Sequence, residues 1–177
     1  NSVYSVNAPP QTRQVKHEPE QPSANVPVRV TAKVSDPDEV DLVTLFYQAV
    51  QPGNYIRKTD SNYEKGWLEL PMTDSGTNGD AVVGDSFFSA LIPRSVQDHR
   101  TLVRYRIRVE DKLGNAVTLP YADDEQPNFA YFCYNGVPAW TGSNRVNGKK
   151  ETFPSSVMAS LPTYHLIANS TDVTNSQ

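Results

Sequence analysis

Cysteine is almost absent from this chain: Cys133 is the only one among 177 residues. A single cysteine excludes an internal disulfide and any cysteine-rich metal site. Flanked by aromatic residues, Cys133 is expected to be a small buried apolar side chain. No stretch approaches the roughly 20 apolar residues that a membrane-spanning helix needs. We therefore expect no membrane insertion.

Motifs that bind phosphate or activate nucleophiles are also missing. The sequence contains neither G-x-G-x-x-G nor G-x-x-x-x-G-K-[ST], and it has no G-x-S-x-G turn. His17, His99 and His165 lie far apart, without the close spacing of paired metal ligands. These absences predict a protein that is not an enzyme and that holds no cofactor, except for the calcium ion considered below.

The balance of charge argues against a nucleic-acid partner. The chain has 16 basic and 20 acidic side chains and a net charge of -4, whereas proteins that bind polyanions are usually basic. Fourteen prolines and nine glycines, with only 37% apolar residues, suit short strands and many turns better than long helices.

The beginning of the chain resembles no targeting signal. Residue 1 is Asn1 rather than methionine, and Asn1–Pro10 has neither the basic nor the apolar region of a signal peptide. The sequence therefore favours a fragment of a longer protein whose targeting signals lie outside it.

Arg100–Pro120 is the most informative segment. Val103, Tyr105, Ile107 and Val109 alternate with charged residues, so one face of a strand should be apolar and the other polar. A Gly-Asn turn signal then precedes a second extended apolar run. The segment predicts a long hairpin with one face in a core.

Further alternating runs predict the rest of an antiparallel sheet structure. About seven short strands, spaced near 10 residues apart without helical periodicity between them, favour an all-β fold. We predict an antiparallel β-sandwich, with a β-barrel as the main alternative. The candidate strands lie at Thr12–His17, Val28–Val34, Val43–Ala49, Tyr55–Thr59, Trp67–Met72, Phe88–Ile92, Val103–Glu110 and Ala116–Leu119.

Composition divides the chain into four parts. Residues 1–10 are a predicted N-terminal tail, and residues 11–134 form the predicted sandwich. Residues 135–160 are rich in Gly, Ser, Asn and Pro and predict a linker. Leu161–Ala168 is a strand-like run followed by a polar end. We interpret residues 161–177 as the truncated start of a downstream domain, which leaves the sandwich with an extended C-terminal tail.

Three segments carry a family resemblance. V-R-V-T-A-K-V-S-D-P-D-E-V-D-L-V-T-L-F-Y (Val28–Tyr47), F-F-S-A-L-I-P (Phe87–Pro93) and V-R-Y-R-I-R-V-E-D-K-L-G-N (Val103–Asn115) occur in this order. Together they resemble the Ig-like or fibronectin-III-like modules of large bacterial secreted and surface proteins. The resemblance covers roughly residues 11 to 120 and implies a fold more strongly than a function.

A second likeness concerns Pro120–Gly142 followed by L-P-T-Y-H-L-I-A (Leu161–Ala168). This arrangement is similar to the module just before the kinase-like domain of spore-coat-protein-H-type (CotH) proteins. In that family the kinase-like domain opens with a strand that resembles Leu161–Ala168. The chain ends before any catalytic segment of such a domain, so the resemblance implies a non-catalytic neighbour of a kinase-like domain.

Clustered carboxylates suggest a metal site. Asp36, Asp38 and Asp41, together with Glu39, crowd one predicted loop, and hard cations such as calcium bind six to eight oxygen ligands. Turn chemistry explains the same residues, since Asp-Pro-Asp is a good turn former. A calcium site at Asp36, Asp38 and Asp41 and a metal-free turn are both open at this point.

Two further side-chain groups could bind ligands. Arg104, Arg106 and Arg108 form a stripe that could contact an anion, although a solvated outer face that pairs with carboxylates suits an acidic chain better. Tyr55, Tyr63, Trp67 and Trp140 lie in or near predicted loops, where aromatic rings could stack on sugars. Core and edge packing is the alternative explanation for these four rings.

The sequence thus predicts a non-catalytic Ig-like spacer or interaction module of a larger exported bacterial protein, located outside the cell, at its surface or in the periplasm. Its expected partners are neighbouring domains of the same polypeptide, above all a following CotH-type kinase-like domain. The alternative is a module that binds carbohydrate, such as a cell-surface polysaccharide, through its loop aromatics.

Overall fold

Eight short strands form two antiparallel sheets that pack face to face. The structure, a computed structural model, describes residues 7–143 and 145–177. Residues 1–6 of the predicted tail lie outside this range. The strands are β1 (Gln11–Glu18), β2 (Val28–Ser35), β3 (Val40–Val50), β4 (Leu68–Pro71), β5 (Phe87–Ile92), β6 (Leu102–Asp111), β7 (Ala116–Leu119) and β8 (Phe129–Phe132).

The first sheet has the order β1-β2-β5, and the second has the order β4-β3-β6-β7. β8 pairs with the first half of β6, on the side where β7 pairs with the second half. Within the described residues the ladders form these two sheets and a separate two-stranded hairpin near the C-terminal end, and none of them closes into a barrel. The predicted all-β antiparallel sandwich is therefore confirmed, and the barrel alternative is excluded for the part of the chain described.

The core follows the predicted alternation. Because successive side chains of a strand point to opposite faces, every second residue of β2, β3, β5 and β6 enters the space between the sheets. Apolar burial of this kind stabilises a fold by about 25 cal/mol per Å². The central residues of the core, all less than 3% exposed, are Val28, Val30, Ala32, Val34, Val43, Leu45, Ala90, Ile92, Val103, Tyr105, Ile107 and Val109.

The predicted hairpin is present as β6 and β7, and an aspartate organises its turn. Asp111 Oδ1 accepts hydrogen bonds from the backbone nitrogens of Leu113 and Asn115, both at 2.8 Å. Gly114 has a φ of +89°, a conformation that glycine adopts readily. Burial raises the pKa of Asp111, but its hydrogen bonds outweigh burial and leave that pKa below the usual range.

The edge of β5 is partly covered by the chain that leaves β4. Met72 still pairs with the second sheet through a bond from its backbone nitrogen to the Val43 oxygen. Thr73 then exchanges two 2.9 Å backbone hydrogen bonds with Ser89 of β5. The chain therefore crosses from one sheet to the other within two residues.

Two predicted strands are wrong. Tyr55–Thr59 is irregular and ends in a turn instead of forming a strand, because this segment lies across the outer face of the second sheet. Leu161–Ala168 also forms no strand, since it pairs with a neighbour only at the following residue, Asn169. Leu161, Tyr164 and Leu166 are 56%, 92% and 76% exposed, so the apolar alternation of the second segment does not reflect burial.

The segment predicted as a linker contains short regular structure. A two-stranded hairpin, β9 (Trp140–Gly142) and β10 (Glu151–Phe153), precedes the short helices α1 (Ser155–Met158) and α2 (Ser170–Asn175). None of the helices in the described residues has the length and hydropathy needed to span a bilayer.

Candidate functional site

The predicted calcium ligands form a turn. Asp36 Oδ1 accepts a 2.7 Å hydrogen bond from the Asp38 backbone nitrogen, and Glu39 pairs with Lys112. Asp41 lies exposed at the start of β3. The structure does not gather Asp36, Asp38 and Asp41 into one cluster. Calcium at these residues stays a prediction from sequence, and the turn explains the hydrogen bond without it.

A different carboxylate cluster lies in the loop between β4 and β5. Asp74, Asp80 and Asp85 place one oxygen each within 4.8 Å of the others. Asp74 accepts hydrogen bonds from the backbone nitrogens of Gly84 and Ser86, and Asp80 accepts one from Gly76. These bonds organise a long Gly-rich loop, which accounts for the cluster without a metal.

Arg104 is buried, contrary to the predicted solvated stripe. Arg104 is 3% exposed, and its guanidinium group donates a 2.7 Å hydrogen bond to the Ile56 carbonyl and a longer one to Gln48 Oε1. The guanidinium carbon lies 5.0 Å from the Tyr55 ring centroid and 5.2 Å from that of Tyr63. The loop between β3 and β4 covers this part of the sheet, so Arg104 is a structural residue.

Arg106 continues the same stack. Its guanidinium carbon lies 4.2 Å from the Trp67 ring centroid and 5.3 Å from that of Tyr63. It donates two hydrogen bonds to Glu64, at 2.8 and 3.1 Å, and one to the Pro127 carbonyl. Arg108 is exposed and pairs with Glu110. Pairing with carboxylates was therefore correctly predicted for Arg106 and Arg108.

The four predicted sugar-binding rings do not form one surface. Tyr55, Tyr63 and Trp67 lie together, but each places a face against a guanidinium group. Tyr63 is 4% exposed and donates a hydrogen bond to Asn128. Trp140 lies apart from them on β9, stacked on Phe153 with 5.8 Å between centroids. The structure thus explains the first three rings as packing, the alternative that the sequence had left open.

The pair of Arg106 and Glu64 gives a test of pH dependence. Hydrogen bonds from Arg106 hold the pKa of Glu64 below its usual value. The stabilisation is therefore complete at neutral pH and is lost as the pH falls through this lowered pKa, below about pH 4. Because Glu64 is 68% exposed, solvent screening limits the effect of Glu64→Gln at pH 7 to less than about 1 kcal/mol.

Urea denaturation of wild type and Glu64→Gln from pH 7 to pH 3 measures this difference, with Glu125→Gln, at an exposed position, as the matched control. We expect the wild type and Glu64→Gln to converge in stability at low pH. A difference that is larger at pH 3 than at pH 7 would contradict the assignment.

The three histidines do not form a metal cluster with other ligands in the described residues. His17 is on β1, where its Nδ1 lies 3.0 Å from the Tyr105 hydroxyl and its Nε2 lies 3.2 Å from the Glu20 carbonyl. A carbonyl only accepts, so Nε2 carries a proton, and Nδ1 forms the hydrogen bond with the Tyr105 hydroxyl. His17 therefore links the first sheet to the second.

The C-terminal segment returns to the sandwich after the β9–β10 hairpin. Asn169 forms a bridge with Asn54, and the Ser170 backbone nitrogen donates a 2.8 Å hydrogen bond to the Gly53 carbonyl. Arg57 and Asp172 form an ion pair at 2.7 Å. We call residues 165–172 the return segment. It binds the turn that follows β3.

This contact requires glycine at position 53. The φ of Gly53 is +80°, and a Cβ placed on it would lie 2.2 Å from the Ser170 hydroxyl oxygen. The Asn169 side chain accepts a 3.0 Å hydrogen bond from the Thr171 nitrogen and caps α2. The Asn-Ser-Thr-Asp sequence was a signal for a helix start, but the sequence does not indicate where the helix binds.

Aromatic rings hold the other end of the return segment. The His165 ring lies 4.8 Å from Phe132 and 4.4 Å from Tyr134, between centroids. His99 stacks on Tyr134 at 5.5 Å and 22°. We call His99, Tyr134 and His165 the ring cluster. It lies where the chain leaves the sandwich after β8 and where the return segment binds.

An exposed apolar face lies on β9, β10 and α1. Trp140, Phe153 and Leu161 are 49%, 37% and 56% exposed, and with Val157 and Met158 they line a concavity of about 470 Å³. Contiguous apolar surfaces of this kind are typical of interaction sites.

No protein-family model matches the sequence, and no curated protein matches it either.

Proposed function

We propose that this chain is a non-catalytic Ig-like spacer and interaction module of a larger exported bacterial protein. It acts outside the cell or at its surface, and it holds a neighbouring domain of the same polypeptide, of the CotH kinase-like type, in a fixed position. The resemblance of Pro120–Gly142 and Leu161–Ala168 to the module before such domains suggests the neighbour.

The observation that supports positioning is the return segment. A free linker would let a following domain reorient. Here the return segment is held on the sandwich by three contacts: the bridge between Asn54 and Asn169, the hydrogen bond from Ser170 to Gly53, and the ion pair of Arg57 and Asp172. The exposed apolar face on β9, β10 and α1 offers additional surface for a protein contact.

Ser170→Pro tests the return segment directly. Ser170 is the first residue of α2, where proline is favoured, and Asn169 is already extended, as a residue before proline should be. The substitution removes the hydrogen bond to Gly53 without penalising the helix. Loss of one such bond weakens binding by about 0.5–1.5 kcal/mol, up to roughly tenfold.

Backbone order parameters from ¹⁵N relaxation measure the outcome. In the wild type we expect the order parameters of residues 166–172 to be near 0.85, the value of rigid backbone. In Ser170→Pro we expect the same order parameters to fall toward about 0.6. Ser155→Pro is the matched control, because Ser155 is the first residue of α1 and is outside this contact.

The proposal also requires a shared orientation in the longer polypeptide. Residual dipolar couplings should give one alignment tensor for the module and its following domain, and Ser170→Pro should separate the two tensors. Independent tensors in the wild-type polypeptide would contradict positioning.

A further inference from the structure

We propose that the docking of the return segment is controlled by pH through His99. This inference rests on the proposed positioning function and assigns a regulator to it. The His99 ring is at the point where the chain leaves the sandwich, and its protonation state decides whether Asn135 keeps its hydrogen bond to that ring.

The hydrogen bond at His99 fixes its protonation state. The Asn135 backbone nitrogen donates to His99 Nδ1 at 3.1 Å. A backbone N–H can only donate, so Nδ1 must present its lone pair and the imidazole must be neutral. An imidazolium at this position would place two N–H groups against each other.

Loss of this bond affects the ring cluster directly. Asn135 follows Tyr134, whose ring contacts His99 on one side and His165 on the other. Asn135 is held otherwise by its side chain, which accepts a 2.6 Å hydrogen bond from the Ala24 nitrogen. The Tyr134 backbone is itself held by a 2.8 Å hydrogen bond from its nitrogen to the Pro22 carbonyl. Loss of the bond at His99 therefore acts on the stacking of the His99 and Tyr134 rings, and through the Tyr134 ring on His165.

Charged residues of both signs adjoin His99 in the sequence, Asp98 before it and Arg100 after it. The groups that flank His99 in sequence or in the ring cluster are Asp98, Arg100, Cys133, Tyr134 and His165.

The sign of the effect follows from these contacts. Imidazoles gain their proton between about pH 8 and pH 5. The docked state requires neutral His99, so docking is complete at the upper end of this range and weakens as the pH falls.

The experiment uses the whole chain at pH 7.5 and pH 5. Nuclear Overhauser contacts from the His165 ring to Phe132 and Tyr134, with order parameters of residues 166–172, report docking. We expect the docking equilibrium constant of the wild type to be about tenfold lower at pH 5 than at pH 7.5. His99→Asn, whose side-chain oxygen replaces Nδ1 as an acceptor that does not titrate, should stay docked at both values. His165→Phe keeps an aromatic ring and should still release at pH 5.

The outcomes distinguish failure of the proposed role of His99 from failure of the proposed positioning function. Wild-type docking that is the same at pH 7.5 and pH 5, or release of His99→Asn at pH 5, overturns the role of His99. Retention of His165→Phe at pH 5 overturns it as well and assigns the titration to His165. A proton on Nδ1 at pH 7.5, read from ring ¹⁵N chemical shifts, overturns it independently of the variants. An undocked segment in the wild type at pH 7.5 would instead contradict the positioning function itself.

Discussion

Tyr105→Ala is expected to lower the free energy of unfolding by about 3–5 kcal/mol. Tyr105 is 2% exposed in the middle of β6, and its ring lies 5.2 Å from Phe129 and 5.8 Å from His17, between centroids. Removal of the ring leaves a cavity between the two sheets and also removes the hydroxyl that binds His17. Both losses act on the same contact between β1 and β6.

Tyr105→Phe separates these contributions. It keeps the ring and removes only the hydroxyl, so we expect a cost of about 1 kcal/mol. Burial raises the pKa of Tyr105 well above its usual value, so the hydroxyl stays protonated and able to donate at any ordinary pH. Urea denaturation with an unchanged slope measures both variants. Equal losses for alanine and phenylalanine would show that the ring does not fill the core as described.

The second large effect is expected at Arg104. Arg104→Ala should cost about 2–4 kcal/mol, because it leaves the Ile56 carbonyl without its donor and removes the cation between Tyr55 and Tyr63. The loop between β3 and β4 rests on this side chain. We therefore expect faster proteolysis within residues 55–67 as well as lower stability.

Arg108→Ala is the matched control for Arg104→Ala. Arg108 is on the same strand and the same face, but it is exposed and pairs only with Glu110. Its loss should change stability by no more than about 0.5 kcal/mol. Arg104→Lys should fall between the two, since lysine keeps the charge without the planar fork. An Arg104→Ala variant as stable as Arg108→Ala would show that Arg104 is not buried as described.

The sequence predicted the parts of the fold that depend on local alternation. The alternating residues of β2 and β6 placed their apolar faces correctly, because a buried face imposes a period of two on the sequence. The same rule was misleading for Tyr55–Thr59 and Leu161–Ala168. Single side chains of these segments contact the sandwich, Tyr55 at Arg104 and His165 at Phe132, but their backbones form no strand. A one-dimensional pattern cannot distinguish these cases.

The candidate sites were harder to predict, for a related reason. The arginine stripe was visible, but the loop that covers Arg104 comes from residues 55–67, and only the folded chain brings them together. The contact of Ser170 with Gly53 likewise joins residues more than 100 positions apart. Asp36, Asp38 and Asp41 show a related point, since the structure does not gather these sequence neighbours into one carboxylate cluster.

The crossing of the chain at Met72 and Thr73 has a consequence for self-association. An uncovered edge strand is a template on which another polypeptide can add a strand, the first step of many aggregates. Thr73 occupies both hydrogen-bonding groups of Ser89 in the middle of β5, so an incoming strand finds no continuous row of donors and acceptors there. The proline at the end of β4, Pro71, and the irregular register of β1 between Arg13 and Lys16 interrupt two other edges. These three edges therefore give an incoming strand no continuous template for pairing.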